Sequence, residues 1–160
     1  MKLSKRTRYG FRLMVELAIN FDKGPISLRE IAKKQGLSEK YLEQIIIQLK
    51  TMGPVTAVRG PKGGYLLSLP PSRITLKSLF DILEGSDAIV ECVKNPSVCK
   101  RVGNCMSRKI WVTLDENIRK ILNSTTLEDL IAGGPEDLNS VRSGISKSAK
   151  SVNSSRMQIS

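Results

Sequence analysis

Apolar residues first recur at helical spacing in residues 7–22 (TRYGFRLMVELAINFD), where Phe11, Met14, Val15, Ala18 and Ile19 predict a helix with that row against a core. Gly24 and Pro25 end it. Ser27, followed three positions later by Glu30, has the form of an N-cap with a capping-box acid, so residues 28–35 (LREIAKKQ) predict a short second helix. Gly36-Leu37-Ser38 interrupts the pattern. From Glu39 a third helix runs to about residue 52, with Leu42, Ile45, Ile46 and Leu49 in an i, i+3, i+4, i+7 stripe. Two helices joined by a three-residue turn containing Gly have the form of a helix-turn-helix. Ala32 is small where the two helices would cross, and Gly36 can adopt the left-handed conformation such a turn needs.

Residues 55–59 (VTAVR) and 65–69 (YLLSL) are two short β runs around Gly60-Pro61-Lys62-Gly63-Gly64, which predicts a hairpin wing. Past Pro70-Pro71, Thr75 is a candidate N-cap for a short helix ending at Glu84, with Leu76, Leu79, Phe80 and Leu83 on one face. Periodicity then disappears until about Met106. A long helix over 107–123 carries Ile110, Trp111, Leu114, Ile118, Ile121 and Leu122 along one side. That stripe extends past a domain this small, and it predicts packing against a second copy of the chain. Thr125 with Glu128 predicts another capping box, opening a last helix over 126–132 that Gly133-Gly134 stops. The fold class expected is mainly α with a small β-hairpin: a winged helix-turn-helix over 1–72, then a helical region over 73–134 with a loop at 86–106. Residues 135–160 contain 8 Ser, no aromatic residue and no sustained period, and are expected to form a disordered tail.

Charge adds a partner to this picture. The 160 residues hold 26 Lys+Arg against 15 Asp+Glu, a formal net charge of +11, and no His. Without His the usual nucleophile pairs, the His general base and two-His zinc sites are all excluded, so no enzymatic activity is expected. The basic excess calls for a polyanion. Residues 1–68 carry 13 Lys+Arg and 5 Asp+Glu, so a net +8 lies on the helix-turn-helix and wing. With its apolar stripe in the core, the third helix would present Ser38, Lys40, Tyr41, Glu43, Gln44 and Gln48. Glu can accept from cytosine N4, Gln can pair with adenine, and Lys, Ser and Tyr can reach phosphates or bases. Arg59 and Lys62, at or near the wing tip, suit a narrow minor groove and a phosphate. Double-stranded DNA is therefore the expected partner. A nucleotide-cradling loop is excluded at the wing, which lacks G-x-x-x-x-G-K-[ST] and a helix directly behind it. No apolar run is long enough for a membrane span, and no secretory signal is evident, so no membrane partner and a cytoplasmic location are expected.

All three cysteines, Cys92, Cys99 and Cys105, lie in the aperiodic stretch with the spacing C-x6-C-x5-C. Three thiols in one polar loop are poor core filler, which leaves metal or cluster ligation, a thiol switch, or inert thiols. Zinc favours closer knuckles and four ligands, whereas iron-sulfur clusters are held by thiolates across wider loops. Lys94, Lys100, Arg101, Arg108 and Lys109 surround the thiols and favour thiolate.

The start MKLSKRTRYG, the run LSEKYLEQIIIQLK, the wing VRGPKGGYLL and three loop cysteines ahead of a Trp-bearing helix together resemble the IscR-type winged-helix transcription regulators. These include iron-sulfur, nitric-oxide and cysteine-metabolism sensors, and the resemblance covers about residues 1–132. It implies a homodimer that binds palindrome-like operators through the recognition helix and wing, and a transcriptional repressor is the function expected. It also implies an iron-sulfur cluster, [2Fe-2S] by resemblance alone, held by Cys92, Cys99 and Cys105. Where iron-sulfur members often have a His ligand, this chain has Arg108, and where some nitric-oxide sensors have an Asp it has Arg8. The first cysteine interval is one residue longer than the common C-x5-C-x5-C. Glu91, Asp87, Asn104, Ser107, a partner residue or solvent are then the candidates for a fourth ligand. The alternatives are a cysteine-metabolism, nitric-oxide or thiol-redox regulator on the same scaffold and, in another class, a small iron-sulfur electron or cluster carrier.

Overall fold

The computed structural model describes residues 3–85 and 89–133; the serine-rich segment 135–160 and Asp87 lie outside the described residues. Helix α1 (Lys5–Ile19) opens at Ser4, whose Oγ accepts the Thr7 N–H at 3.1 Å, and passes into a single 3-10 turn at Phe21–Lys23. It thus ends earlier than the sequence pattern predicts, and its inward face is rotated. Thr7, Gly10, Leu13, Met14, Leu17 and Ala18 are buried, Phe11 and Val15 flank that row, and Ile19 is exposed. The helix is apolar over more than one face, so spacing alone does not choose among rows. Packing against α4 chooses the one that contains Gly10.

Helix α2 (Leu28–Gln35) is capped by Ser27, whose Oγ accepts the Glu30 N–H at 3.2 Å; the Glu30 carboxylate pairs with Lys34 at 3.3 Å. Gly36 ends α2 in the left-handed region, at φ 60° and ψ 41°, and turns the chain into α3 (Glu39–Thr51). Leu42, Ile45, Ile46 and Leu49 of α3 are all buried, as the stripe predicts. Strands β1 (Val55–Val58) and β2 (Gly64–Leu67) pair antiparallel, with Val55 opposite Leu67 and Val58 opposite Gly64. Ile26 adds a bridge that the local pattern does not foretell: its N–H donates to the Tyr65 carbonyl at 3.0 Å and its carbonyl accepts the Tyr65 N–H at 2.9 Å. Gly64 makes room for this contact, since a Cβ there would lie 2.5 Å from the Ile26 oxygen.

Helix α4 (Leu76–Glu84) starts at the Thr75 cap and buries Leu76, Leu79 and Leu83; Phe80, predicted on the same face, is only half-buried. Short α5 (Glu91–Lys94), two 3-10 turns and the long α6 (Met106–Ser124) follow. The final helix, α7 (Leu127–Ile131), is capped one residue later than predicted. Thr126, not Thr125, accepts from the Asp129 N–H, and the Asp129 carboxylate accepts the Thr126 N–H at 2.7 Å. Thr125 instead gives its carbonyl to the Leu76 N–H, while Leu127 N–H donates to Ile74, each at 2.9 Å, which ties the end of α6 to the start of α4. One core runs through α1, α2, α3, the hairpin, α4 and Leu127. On α6 the only buried residue is Asp115, and Ile110, Trp111 and Leu114 remain 51, 37 and 40% exposed. No helix among the described residues is long and apolar enough to cross a membrane.

Candidate functional site

Burial of the α3 stripe turns Lys40, Glu43 and Gln44 outward, all exposed, and Ser38 precedes the helix with no cap hydrogen bond from its side chain. Two residues expected on this face lie at its flank instead. Tyr41 is half-buried and meets Tyr9 of α1 edge-on, with ring centroids 5.8 Å apart. Gln48 is also half-buried, its Oε1 shielded and without a hydrogen-bond partner. Tyr41 departs from the prediction because Tyr9 of α1 packs against it, a tertiary effect that helical spacing does not register.

Polar contacts also tie α1 to the end of α2. Arg12 stacks over the Tyr9 ring at 5.8 Å and donates through Nε to the Gln35 side-chain oxygen at 2.8 Å. A second Arg12 nitrogen donates to the Gln35 carbonyl. Gln35 Nε2 in turn donates to buried Glu16 at 2.6 Å. Together α1, the end of α2 and the start of α3 form one braced unit. In the wing, Arg59 and Lys62 are exposed just past the strand pair, where Gly60, at φ 116°, accepts the Gly63 N–H at 2.9 Å. The structure thus presents a largely polar outward face of α3 and two cations on the neighbouring hairpin.

The cysteine loop is built from short pieces. Cys92 lies in α5, Cys99 follows the turn Pro96–Val98, and Cys105 immediately precedes α6. All three are free and half-buried. Cys105 Sγ is 3.2 Å from Ser107 Oγ; this contact first, and then the Arg108 backbone N–H, lower its thiol below the ordinary range. Arg108 donates from Nε to the Cys92 carbonyl at 3.1 Å and ties α5 to α6. Three thiols beside Lys100, Arg101 and Arg108 have the donor chemistry for an iron-sulfur cluster. In the arrangement described the thiols stand apart: among the described residues no group of three or more Cys, Asp or Glu side chains is gathered to hold a metal ion. Of the suggested fourth ligands, Glu91, Asn104 and Ser107 are exposed.

A contact missed in the sequence connects the end of α4, the helix that precedes this loop, to the start of α1. Glu84, the last residue of α4, accepts hydrogen bonds from Ser4 Oγ at 2.7 Å, from the Ser4 N–H at 3.4 Å and from the Thr7 hydroxyl. Burial opposes its charge, but the bonds from Thr7 and Ser4, with Arg6 nearby, outweigh burial and hold the carboxyl below its ordinary range. Ser4 could have been recognised as an N-cap; its distant carboxylate could not.

Residues 3–133 match the family described as Rrf2, iron-dependent transcriptional regulator. The chain belongs to the Rrf2 family. It is 39% identical over 130 residues to the HTH-type transcriptional regulator CymR of Bacillus subtilis, which covers 81% of this chain and 89% of the relative. It is 34% identical over 131 residues to the HTH-type transcriptional regulator IscR of Klebsiella pneumoniae, covering 82% and 80%. The solved structure of CymR, described as the global cysteine regulator of B. subtilis, superposes with a TM-score of 0.72 at 37% identity, covering 82% of this chain and 97% of that one. An IscR-type Rrf2 regulator with a winged-helix fold is therefore established, and within the Rrf2 family the relatives carry different regulatory names.

Proposed function

We propose that the protein works in the cytoplasm as a homodimeric transcriptional repressor that reads a two-fold operator and answers a signal at its cysteine loop. The carrying observation is the outward face of α3 (Lys40, Glu43, Gln44) beside the exposed Arg59 and Lys62 of the hairpin. Ser38 and Tyr41 extend that surface at its N-terminal end and its flank. In the dimer two such faces must meet successive grooves about 34 Å apart. The dimer forms along α6, whose Ile110, Trp111 and Leu114 the protomer leaves exposed. Cys105 opens this same helix, and Glu84 fastens the other end of the loop region to α1. A chemical change in the loop therefore alters the angle between dimer helix and DNA-reading unit, and with it the spacing of the two α3 helices.

Two signals are compatible with the loop. The donor chemistry supports cluster status, with Cys92, Cys99 and Cys105 as thiolates of a [2Fe-2S] cluster. The contact between Cys105 and Ser107, the dispersed thiols and the similarity to a protein described as a cysteine regulator favour direct thiol chemistry. Anaerobic purification followed by absorption spectroscopy and iron and sulfide assays separates them. Colour with stoichiometric sulfide supports the cluster; colourless protein whose operator affinity changes on thiol oxidation supports the thiol reading. Operator affinity by fluorescence anisotropy tests the common part, and the DNA-binding assignment fails if no duplex is enriched from a random library.

A further inference from the structure

Along the outward side of α3, diametrically opposite the buried Leu42, Ile45, Ile46 and Leu49, lies the row Lys40, Gln44, Ile47 and Thr51, all exposed. A single exposed isoleucine is ordinary on a protein surface. Ile47 differs in its company. It is 58% exposed while its neighbours Ile45 and Ile46 are 0 and 2% exposed, so three identical side chains are divided between core and outer face by the helix period alone. Around it the outward positions are polar: Lys40, Glu43, Gln44, Lys50 and Thr51. The Thr51 hydroxyl donates back to the Ile47 carbonyl at 2.8 Å, so that polar group is engaged by the backbone.

We infer that Ile47 is a specificity-determining residue that reads the 5-methyl group of a thymine in the major groove; this rests on the DNA-binding reading above. An A·T pair offers a purine N6/N7 edge and a thymine methyl side by side in that groove, chemistries suited to a side-chain amide and to an alkyl group. Gln44 supplies the amide. Ile47, three residues further on, lies about 4.5 Å along the helix axis, close to the roughly 3.4 Å rise of one base pair. The pair Gln44 and Ile47 is thus spaced to read one A·T pair or two adjacent ones. A β-branched side chain in a helix is nearly confined to one χ1 rotamer, so Ile47 presents its methyl groups with little freedom left to lose.

The test uses full-length protein and duplexes enriched by it from a random library. Each thymine of the enriched site is replaced singly by deoxyuridine, which removes only the methyl group, and affinity is measured by anisotropy. At one thymine in each half-site, next to the base whose preference Gln44→Ala relaxes, deoxyuridine should weaken the wild type about fourfold, and about fifteenfold when both half-sites are changed. Ile47→Ala and Ile47→Ser should bind thymine and deoxyuridine duplexes equally. Because the side chain lies outside the core, circular dichroism of both variants should match the wild type. The inference is overturned if no deoxyuridine substitution affects the wild type, or if both variants retain the wild-type penalty. Failure to enrich any duplex would instead remove the DNA-binding reading.

Discussion

Gly10 and Leu83 meet so closely that a Cβ added at Gly10 would lie 2.5 Å from Leu83 Cδ1. Leu83 is 1% exposed and has no solvent to swing into. Gly10→Ala gains about 0.5–1 kcal/mol of helix propensity but overpacks this contact at about 1–3 kcal/mol. A net loss of up to about 2.5 kcal/mol is expected in urea unfolding. Leu83→Ala alone should cost about 2–5 kcal/mol. Combining the two should be less than additive, because the new methyl group enters the space the leucine vacates.

Thr7 is 1% exposed and its hydroxyl serves Glu84. Thr7→Val keeps the shape and removes a donor to a charged acceptor, so a loss of about 1.5–3 kcal/mol is expected at neutral pH. The folded-state pKa of Glu84 is lowered, so its contribution is complete above the unfolded-state value and disappears as pH falls through the folded one. The stability gap between wild type and Glu84→Gln should therefore be constant near neutrality and close as pH drops below the ordinary glutamate range. A gap that widened with acidification would contradict the contact.

The same residues explain which parts of the fold could be read in advance. In α3 one stripe, Leu42, Ile45, Ile46 and Leu49, is buried where the helical period places it, so local pattern and tertiary burial agree. In α1 apolar residues occupy several rows, and the choice falls to partners far along the chain: Leu83 for Gly10 and Glu84 for Thr7. At the last helix Thr125 and Thr126 are each followed by an acid three positions on, so the local signal is degenerate. The bridge between Thr75 and Thr126 resolves it. The exposed α3 and wing cations follow directly from periodicity and turn chemistry. The cysteine loop was legible as chemistry but not as shape, because it is made of turns only three or four residues long, too short for a period to register.

Arg59 and Lys62 provide a distinction between phosphate and base contacts. Each is an exposed cation on the wing, and a contact to one phosphate releases counterions in proportion. Arg59→Ala or Lys62→Ala should weaken operator binding and reduce the slope of log K against log salt by about 0.9 for each phosphate lost. Glu43→Ala or Gln44→Ala should leave that slope unchanged and relax base preference by about 1–3 kcal/mol at the affected positions. Anisotropy titrations at several salt concentrations, on the enriched duplex and its single-base variants, measure both. A salt slope unaltered in the wing variants would remove the wing from the interface.

Trp111 occupies the exposed apolar side of α6 between Ile110 and Leu114 and contributes nothing to the buried core of its own protomer. If that side is the dimer contact, a charge there must be desolvated against the partner, and loss of a large aromatic anchor at an interface centre commonly exceeds about 2 kcal/mol. Trp111→Glu should therefore convert a sedimenting dimer to monomer at micromolar concentration. Far-ultraviolet circular dichroism should be preserved, since the tie from Thr125 to Leu76 and the Asp115–Arg119 pair at 2.5 Å remain. Operator affinity should fall much further than in any single wing variant, because a monomer presents one α3 to a two-half-site duplex and loses the effective concentration that joins the second. A variant that stayed dimeric would move the contact off this face. One that became monomeric yet kept its affinity would show that a single half-site suffices.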